Sequence, residues 1–363
     1  MRHLDYSYDY YNIYLPLLDL GLQVELFDFL TALWSSSHAQ MNADFRALVD
    51  ATQPDAVLVV PTTDEFTTET IAYVSSCCPT LAYFHDDVWR ADYAMLWSRF
   101  YRYIVSTNPR GVAHFASHGV FNVIYSPRGY NTLLYMPDPA MEQDIDVSFV
   151  GGFSPVRMWL IDRLRQRGID VQVFGAGWNT AGFIPLLKER ARKELRSRRF
   201  AVARLRSGYV TQQEMISTFQ RSKVNLNLSN STCWDARYLL SSPLSLLDTM
   251  RSPKTHEQIK GRHFELCGCG AFQLSYFVEG LETCFRLGEE IETYLDPDAL
   301  IEKVEYYLAH PAERQAIADA GLRRARTEHS IAERLRDIFV AIGLSVPTPP
   351  ALPDPVVPPG GMQ

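Results

Sequence analysis

What the chain lacks narrows its class first. No apolar run approaches the ~18 residues of a membrane-spanning helix, so any membrane contact is expected to be peripheral. Cysteine is sparse, six among 363 residues, and the N-terminus carries no secretory pattern. The thiols are therefore expected to be reduced and the protein cytoplasmic. Cys267-x-Cys269 has no second pair at zinc spacing, which disfavours a structural metal. A basic excess is also missing: 42 acidic against 35 basic side chains give a net charge of −7, arguing against a general nucleic-acid binder.

What is present suits a globular chain of about two domains, with 47% hydrophobic and 21% charged residues. The N-terminal aromatic stretch leads into a helix ending at Gly21 and a strand expected around Gln23 to Phe27. The run from Pro54 to Pro61 has the continuous apolar character of a strand buried on both faces of a parallel sheet. Further strands are expected at Thr80 to His85, Tyr103 to Ser106 and Val123 to Tyr125, with helices between them. This alternation predicts an α/β domain over residues 1–138, whose ligands would sit beyond the C-terminal strand ends.

Proline-rich, aperiodic sequence after Pro127 places a linker at 139–145. A second α/β domain is expected over 146–330, opening with a strand that runs into Gly151-Gly152 and a helix from about Pro155. Glycine there lets backbone approach a phosphate at a helix N-terminus, but the pair does not match G-x-G-x-x-G, so a nicotinamide cofactor is disfavoured. Residues 230–255 read as a long irregular stretch. Amphipathic helices follow from Leu300, Pro311 and Ile331, the last of them, 331–345, a candidate for returning to the first domain. The proline-rich tail 346–363 is expected to be disordered.

The chemistry concentrates between Glu257 and Gly270, E-Q-I-K-G-R-H-F-E-L-C-G-C-G. Here Glu257 and Glu265, Lys260 and Arg262, and His263 precede a run of small residues ending at Gly270. A sugar nucleotide needs a carboxylate for ribose hydroxyls, cations for its diphosphate and a close backbone turn. Glu265, read as lying at a helix start, with Lys260, Arg262, Gly151 and Gly152, supplies all three; Arg157 and Gly270 complete the candidate donor set. On the facing domain, Phe84-His85-Asp86-Asp87 ends a strand, so Asp86 or His85 could take an acceptor proton. An Asp86 that merely caps the next helix is the competing structural reading. Adjacent aspartates without the spacer of D-x-D disfavour a metal.

The tract K-G-R-H-F-E-L-C-G-C-G-A-F-Q-L, followed by E-E-I-E-T-Y-L-D and Y-Y-L-A-H-P-A-E-R-Q-A-I-A-D-A-G, resembles the spore-maturation (CgeB-like) glycosyltransferases of the GT-B fold. Their C-terminal domains are similar to those of family-4-type enzymes. The resemblance spans about Asp146 to Arg336 and includes D-V-S-F-V-G-G and V-F-G-A-G-W. It implies two Rossmann-like domains facing across a cleft and a metal-independent transfer from a nucleotide diphosphate sugar, UDP-sugar first, to an acceptor hydroxyl. No other cofactor is implied. Glu265 would hold ribose, Lys260 and Arg262 the diphosphate, and Gly151-Gly152 would lie under the donor; Glu257, eight positions before Glu265, would face the donor sugar.

Two other readings share the fold: a sugar-nucleotide epimerase and a non-catalytic nucleotide-sugar-binding module. The segment Lys188 to Arg206, with nine cations against Glu189 and Glu194, reads as a solvated helix face or as a dock for an anionic membrane or acidic acceptor. The acceptor itself could be a glycan, a protein or a small molecule.

Overall fold

The computed structural model describes residues 7–178, 210–230, 235–252, 254 and 256–349. Two parallel sheets organise it. The first comprises β1 (Val57–Val59), β2 (Thr80–Phe84), β3 (Tyr103–Ser106) and β4 (Val123–Tyr125), in spatial order β1-β2-β3-β4. The second comprises β5 (Ile145–Val150), β6 (Val171–Phe174), β7 (Ser222–Asn227), β8 (Gln273–Tyr276) and β9 (Glu292–Tyr294), in order β6-β5-β7-β8-β9. All pairs are parallel, so helices must cover both faces; β2, T-L-A-Y-F, is buried at every position.

The strand order has a functional consequence. β5 sits between β6 and β7, so the chain leaves it first to one side and then to the other. Such a switch point opens a crevice at the C-terminal ends of the two flanking strands, where ligands of α/β sheets bind.

Helices begin where side chains can satisfy free N–H groups. Ser154 accepts from the N–H of Arg157 with Pro155 in the first turn, and Thr211 with Glu214 forms a reciprocal capping box. The last helix, Ile331–Ala341, crosses back to the first sheet. Its Ile331, Leu335, Ile338 and Phe339 pack with Ile13, Leu17, Leu20, Leu81, Tyr83 and Val105.

Several expectations need correction. Gln23 to Phe27 pairs with no strand among the described residues: Val24 packs toward the last helix while Phe27 packs at a tilt against Phe45 and Phe66, so the segment spans two clusters without joining a ladder. Residues 230–255 are not simply irregular, because helices Ala236–Ser241 and Pro243–Arg251 lie within them, capped by Asp235 and Ser242. The basic segment 188–206 and most of the proline-rich tail lie outside the described residues. Among the described residues, no helix is long and apolar enough to cross a membrane.

Candidate functional site

The site is built on the helix Gly261–Gly268. Lys260 precedes it in extended conformation, and His263 closes its first turn by accepting the Lys260 N–H at Nδ1, 3.0 Å away. Burial pushes His263 down to about 4, so the ring is neutral and serves as a cap. Two glycines let aromatic rings lie directly on the helix: a Cβ at Gly261 would collide with Tyr8, and one at Gly268 with Tyr130. Both rings arrive from N-terminal sequence, so this helix is the seam between the two sheets.

Cations converge at the switch point. Arg157 donates from Nη1 to the Gly152 carbonyl (2.7 Å) and from Nε to the Leu228 carbonyl (3.1 Å), joining the ends of β5 and β7. Arg262 donates to the carbonyl of Val150, and Lys254 donates to those of Ser229 (2.6 Å) and Asn230 (3.3 Å). Lys260 reaches across to the first sheet and pairs with Asp86 at 2.8 Å; Arg128, nearly buried, stands 4.0 Å from the same carboxylate.

The charges are mutually unfavourable. Burial, then the neighbouring Arg262, holds Arg157 down to about 10. Burial, then Lys260 and Arg157, holds Lys254 down to about 7. Lys260 is also lowered, by burial first and then by Arg128 and Arg157 against the pull of Asp86. Five cations (Arg128, Arg157, Lys254, Lys260, Arg262) thus share one region with three carboxylates (Asp86, Glu257, Glu265). A surplus of positive charge with depressed pKa values in a crevice is the electrostatic form of an anion site.

Each residue singled out in sequence has a definite place. Gly151 needs its lack of side chain, since a Cβ would stand 2.7 Å from Phe149 Cζ and 3.1 Å from Arg262 Nη1. A Cβ at Gly152 would meet nothing within 4 Å, so that turn faces open space. Glu265 is in mid-helix, not at a helix start, and is 1% exposed. Its Oε1 accepts from Tyr135 (2.9 Å) and Asn12 (3.3 Å), and burial raises it while Arg262 opposes the shift. Gly270 lies beyond the opposite end of the helix from the cations. Its φ of +67° and its contact with Pro137 explain the glycine as a helix terminator. Glu257 lies in the extended approach to the helix, within electrostatic reach of Lys254.

On the facing sheet, Asp86 is ill suited to be a base. Burial raises its pKa, but Lys260 and Arg128 outweigh that and hold it well below the carboxylate range. It caps no helix either: Arg90, not Asp86, precedes Ala91–Trp97. Asp87 is buried against the Ser106 hydroxyl and pushed up to about 6 by burial. His85 is half-buried, with Nε2 2.8 Å from Asp9 Oδ1, and its carbonyl accepts from Gln258 (2.6 Å) and Arg128. His85, Asp86, Thr62, Arg90 and Tyr93 line a cavity of about 90 Å³ at the ends of β1 and β2.

Sequence reasoning missed Lys254, Arg128 and Asp9. Arg128 stands in S-P-R-G-Y-N, where a cation inside a turn-rich stretch was the available signal. Lys254 and Asp9 carried none, because their partners lie far away in sequence.

The sequence profile of a family described as Glycosyl transferase-like matches residues 157–339, half of the chain. The chain belongs to that family. This glycosyltransferase has the GT-B fold, shared at low sequence identity with solved structures. HepE from Anabaena in complex with UDP and glucose aligns at 14% identity and a TM-score of 0.56, over 85% of this chain and 83% of that one. Sucrose-phosphate synthase from Thermosynechococcus elongatus aligns at 13% identity and a TM-score of 0.56, over 88% and 80%. A glycosyltransferase from Rickettsia africae aligns at 10% identity and a TM-score of 0.54, over 83% and 79%. No curated protein matches the chain in sequence.

Proposed function

We propose that this glycosyltransferase takes its sugar from a nucleotide diphosphate sugar, UDP-sugar first, and that Arg157, Lys254, Lys260 and Arg262 hold the diphosphate. The observation that carries the reading is the convergence of Arg157, Lys254 and Arg262 on the carbonyls at the C-terminal ends of β5 and β7, where Arg157 and Lys254 are each lowered by burial and by a neighbouring cation. A diphosphate ester carries negative charge on both phosphates, so its arrival would relieve that repulsion. As the bond to the sugar breaks, charge grows on the departing diphosphate, and fixed cations stabilise it more than the ground state. No metal is needed in this scheme.

UDP is favoured because the HepE structures contain UDP, UDP with glucose, and UDP-glucose. Glu265, next to Arg262 on one helix, would accept from ribose hydroxyls, and Gly151-Gly152 would lie under the donor. The acceptor would enter from the β1/β2 side, with His85 rather than Asp86 as its base and with Glu257 toward the donor sugar. The K-G-R-H-F-E-L-C-G-C-G tract further suggests the spore-maturation-type branch of the family. A soluble cytoplasmic setting, with or without contact at a membrane face, belongs to the same reading.

Thermal-shift screening against UDP-, GDP-, TDP- and CMP-sugars tests the donor. A ligand at 100 times its dissociation constant adds about 2.7 kcal/mol. Stabilisation by UDP-sugars above the others is expected; no response to any nucleotide sugar would sink the reading.

A further inference from the structure

We infer that Arg90 is the anion-reading residue of the acceptor side, so that the acceptor carries a carboxylate or a phosphate beside the hydroxyl that is glycosylated. The inference deepens the glycosyl-transfer reading and rests on it. Arg90 lines the cavity of about 90 Å³ at the ends of β1 and β2, together with Thr62, His85, Asp86 and Tyr93. That is where parallel sheets take their ligands. Arg90 is partly exposed, and it precedes the helix Ala91–Trp97 without using its side chain as a cap.

Aromatic rings, and no carboxylate, hold the guanidinium in place. It lies over the Tyr93 ring, 4.1 Å from the centroid, and 5.8 Å from that of Trp89. Among the described residues no acidic side chain pairs with it. Tyr93 is itself fixed: its hydroxyl donates to the Thr63 carbonyl at 2.5 Å, and its ring meets Phe84 edge-on at 6.2 Å. A guanidinium stacked on a ring keeps its in-plane fork of N–H donors available, and that fork matches two oxygens of a carboxylate or a phosphate.

The carboxylates nearby do not compete for that fork. Asp86 pairs with Lys260 at 2.8 Å and stands 4.0 Å from Arg128. Asp87 is buried and accepts from the Ser106 hydroxyl. Glu65, on the loop after β1, is buried and accepts from the backbone N–H groups of Thr62 (2.6 Å) and Thr63 (2.5 Å). Asp64, exposed on the same loop, does not line the cavity. The size points the same way. At a liquid share of ~30 Å³ per water, about 90 Å³ holds a group as large as about three waters. A carboxylate or a phosphate fits that space, with the rest of the acceptor outside it.

Arginine Nε NMR on the full chain reads the contact without donor, with Arg90→Gln assigning the resonance. Glucuronate and glucose 6-phosphate are titrated against glucose, which tries the carboxylate and the phosphate on the same ring. Expected is a shift of Arg90 with one of the two anionic sugars, at an affinity about 10- to 100-fold above that of glucose. By calorimetry that advantage should vanish in Arg90→Gln and return in part in Arg90→Lys, which keeps the charge without the fork. With the nucleotide sugar that the thermal screen selects, Arg90→Gln should raise the KM of the charged acceptor about 10- to 100-fold and leave the donor KM within about twofold. An Arg90 resonance that answers neither anionic sugar, or answers glucose equally, would overturn the inference. So would an affinity unchanged in Arg90→Gln, or a rise in donor KM in place of the acceptor's. If no nucleotide sugar stabilises the wild type, the glycosyl-transfer reading falls, while the NMR titration still decides whether Arg90 binds an anion.

Discussion

Lys254 is the residue whose titration reports most directly on the cation cluster. Its folded pKa of about 7 lies below the ordinary 10.5, so between those values the unfolded chain binds more protons. Stability of the ligand-free protein should therefore rise with pH across that window. In Lys254→Met that rise should flatten, which urea denaturation at pH 7, 8.5 and 10 measures; UDP affinity should fall in the same variant. Asp87 behaves oppositely. Its folded pKa of about 6 exceeds 3.8, so the folded state binds more protons between them and loses stability as pH rises through the window. Asp87→Asn, which can still accept from Ser106, should be more stable than wild type by roughly 1–2 kcal/mol at pH 7.5, with the gain fading below pH 6. At this scale the sequence disclosed residue types and not their partners. The charges of Lys260 and Arg262 stood out because they cluster, and the buried character of Glu265 did not, because Tyr135 and Asn12 reach its carboxylate from other parts of the chain.

The helix Gly261–Gly268 holds the seam closed by admitting two tyrosine rings. Gly268→Ala drives a methyl group into Tyr130, whose ring is fully buried, and should destabilise by about 1–3 kcal/mol in chemical denaturation. The last helix packs apolar side chains against the first sheet, so Leu335→Ala should cost about 2–5 kcal/mol. Elements were legible where local signals agreed with the fold. The parallel strand β2 is buried at every position and so appears as an apolar run bounded by turns, whereas β7, S-K-V-N-L-N, showed itself by alternation. The helices at 236–251 were hidden because S-S-P looks like punctuation, whereas Ser242 is an N-cap and Pro243 the first residue of the next helix. Gln23 to Phe27 misled for the opposite reason, since its apolar residues serve two separate clusters and no strand lies beside it to pair with.

At the scale of the whole molecule, two parallel sheets meet along a seam where the cations around the helix Gly261–Gly268 face groups at the ends of β1 and β2. The Lys260–Asp86 pair bridges that seam, and its 2.8 Å contact links the start of the helix Gly261–Gly268 to the end of β2. Both side chains are about one-third exposed, so the pair contributes little to stability; a diphosphate competing for Lys260 would release Asp86. The two-sheet architecture was readable from the alternation of strands and helices. The meeting of Arg157, Lys254 and Arg262 at the β5/β7 switch point was not, because they come from separate stretches and only strand order brings them together. The most direct test of that meeting point is titration calorimetry of UDP into wild type and Arg262→Met. Loss of a charge-assisted hydrogen bond is worth about 1.5–3 kcal/mol, so the variant should bind UDP roughly 10- to 100-fold more weakly while keeping its fold by circular dichroism. Equal affinity in the two proteins would contradict a diphosphate site at the β5/β7 switch point.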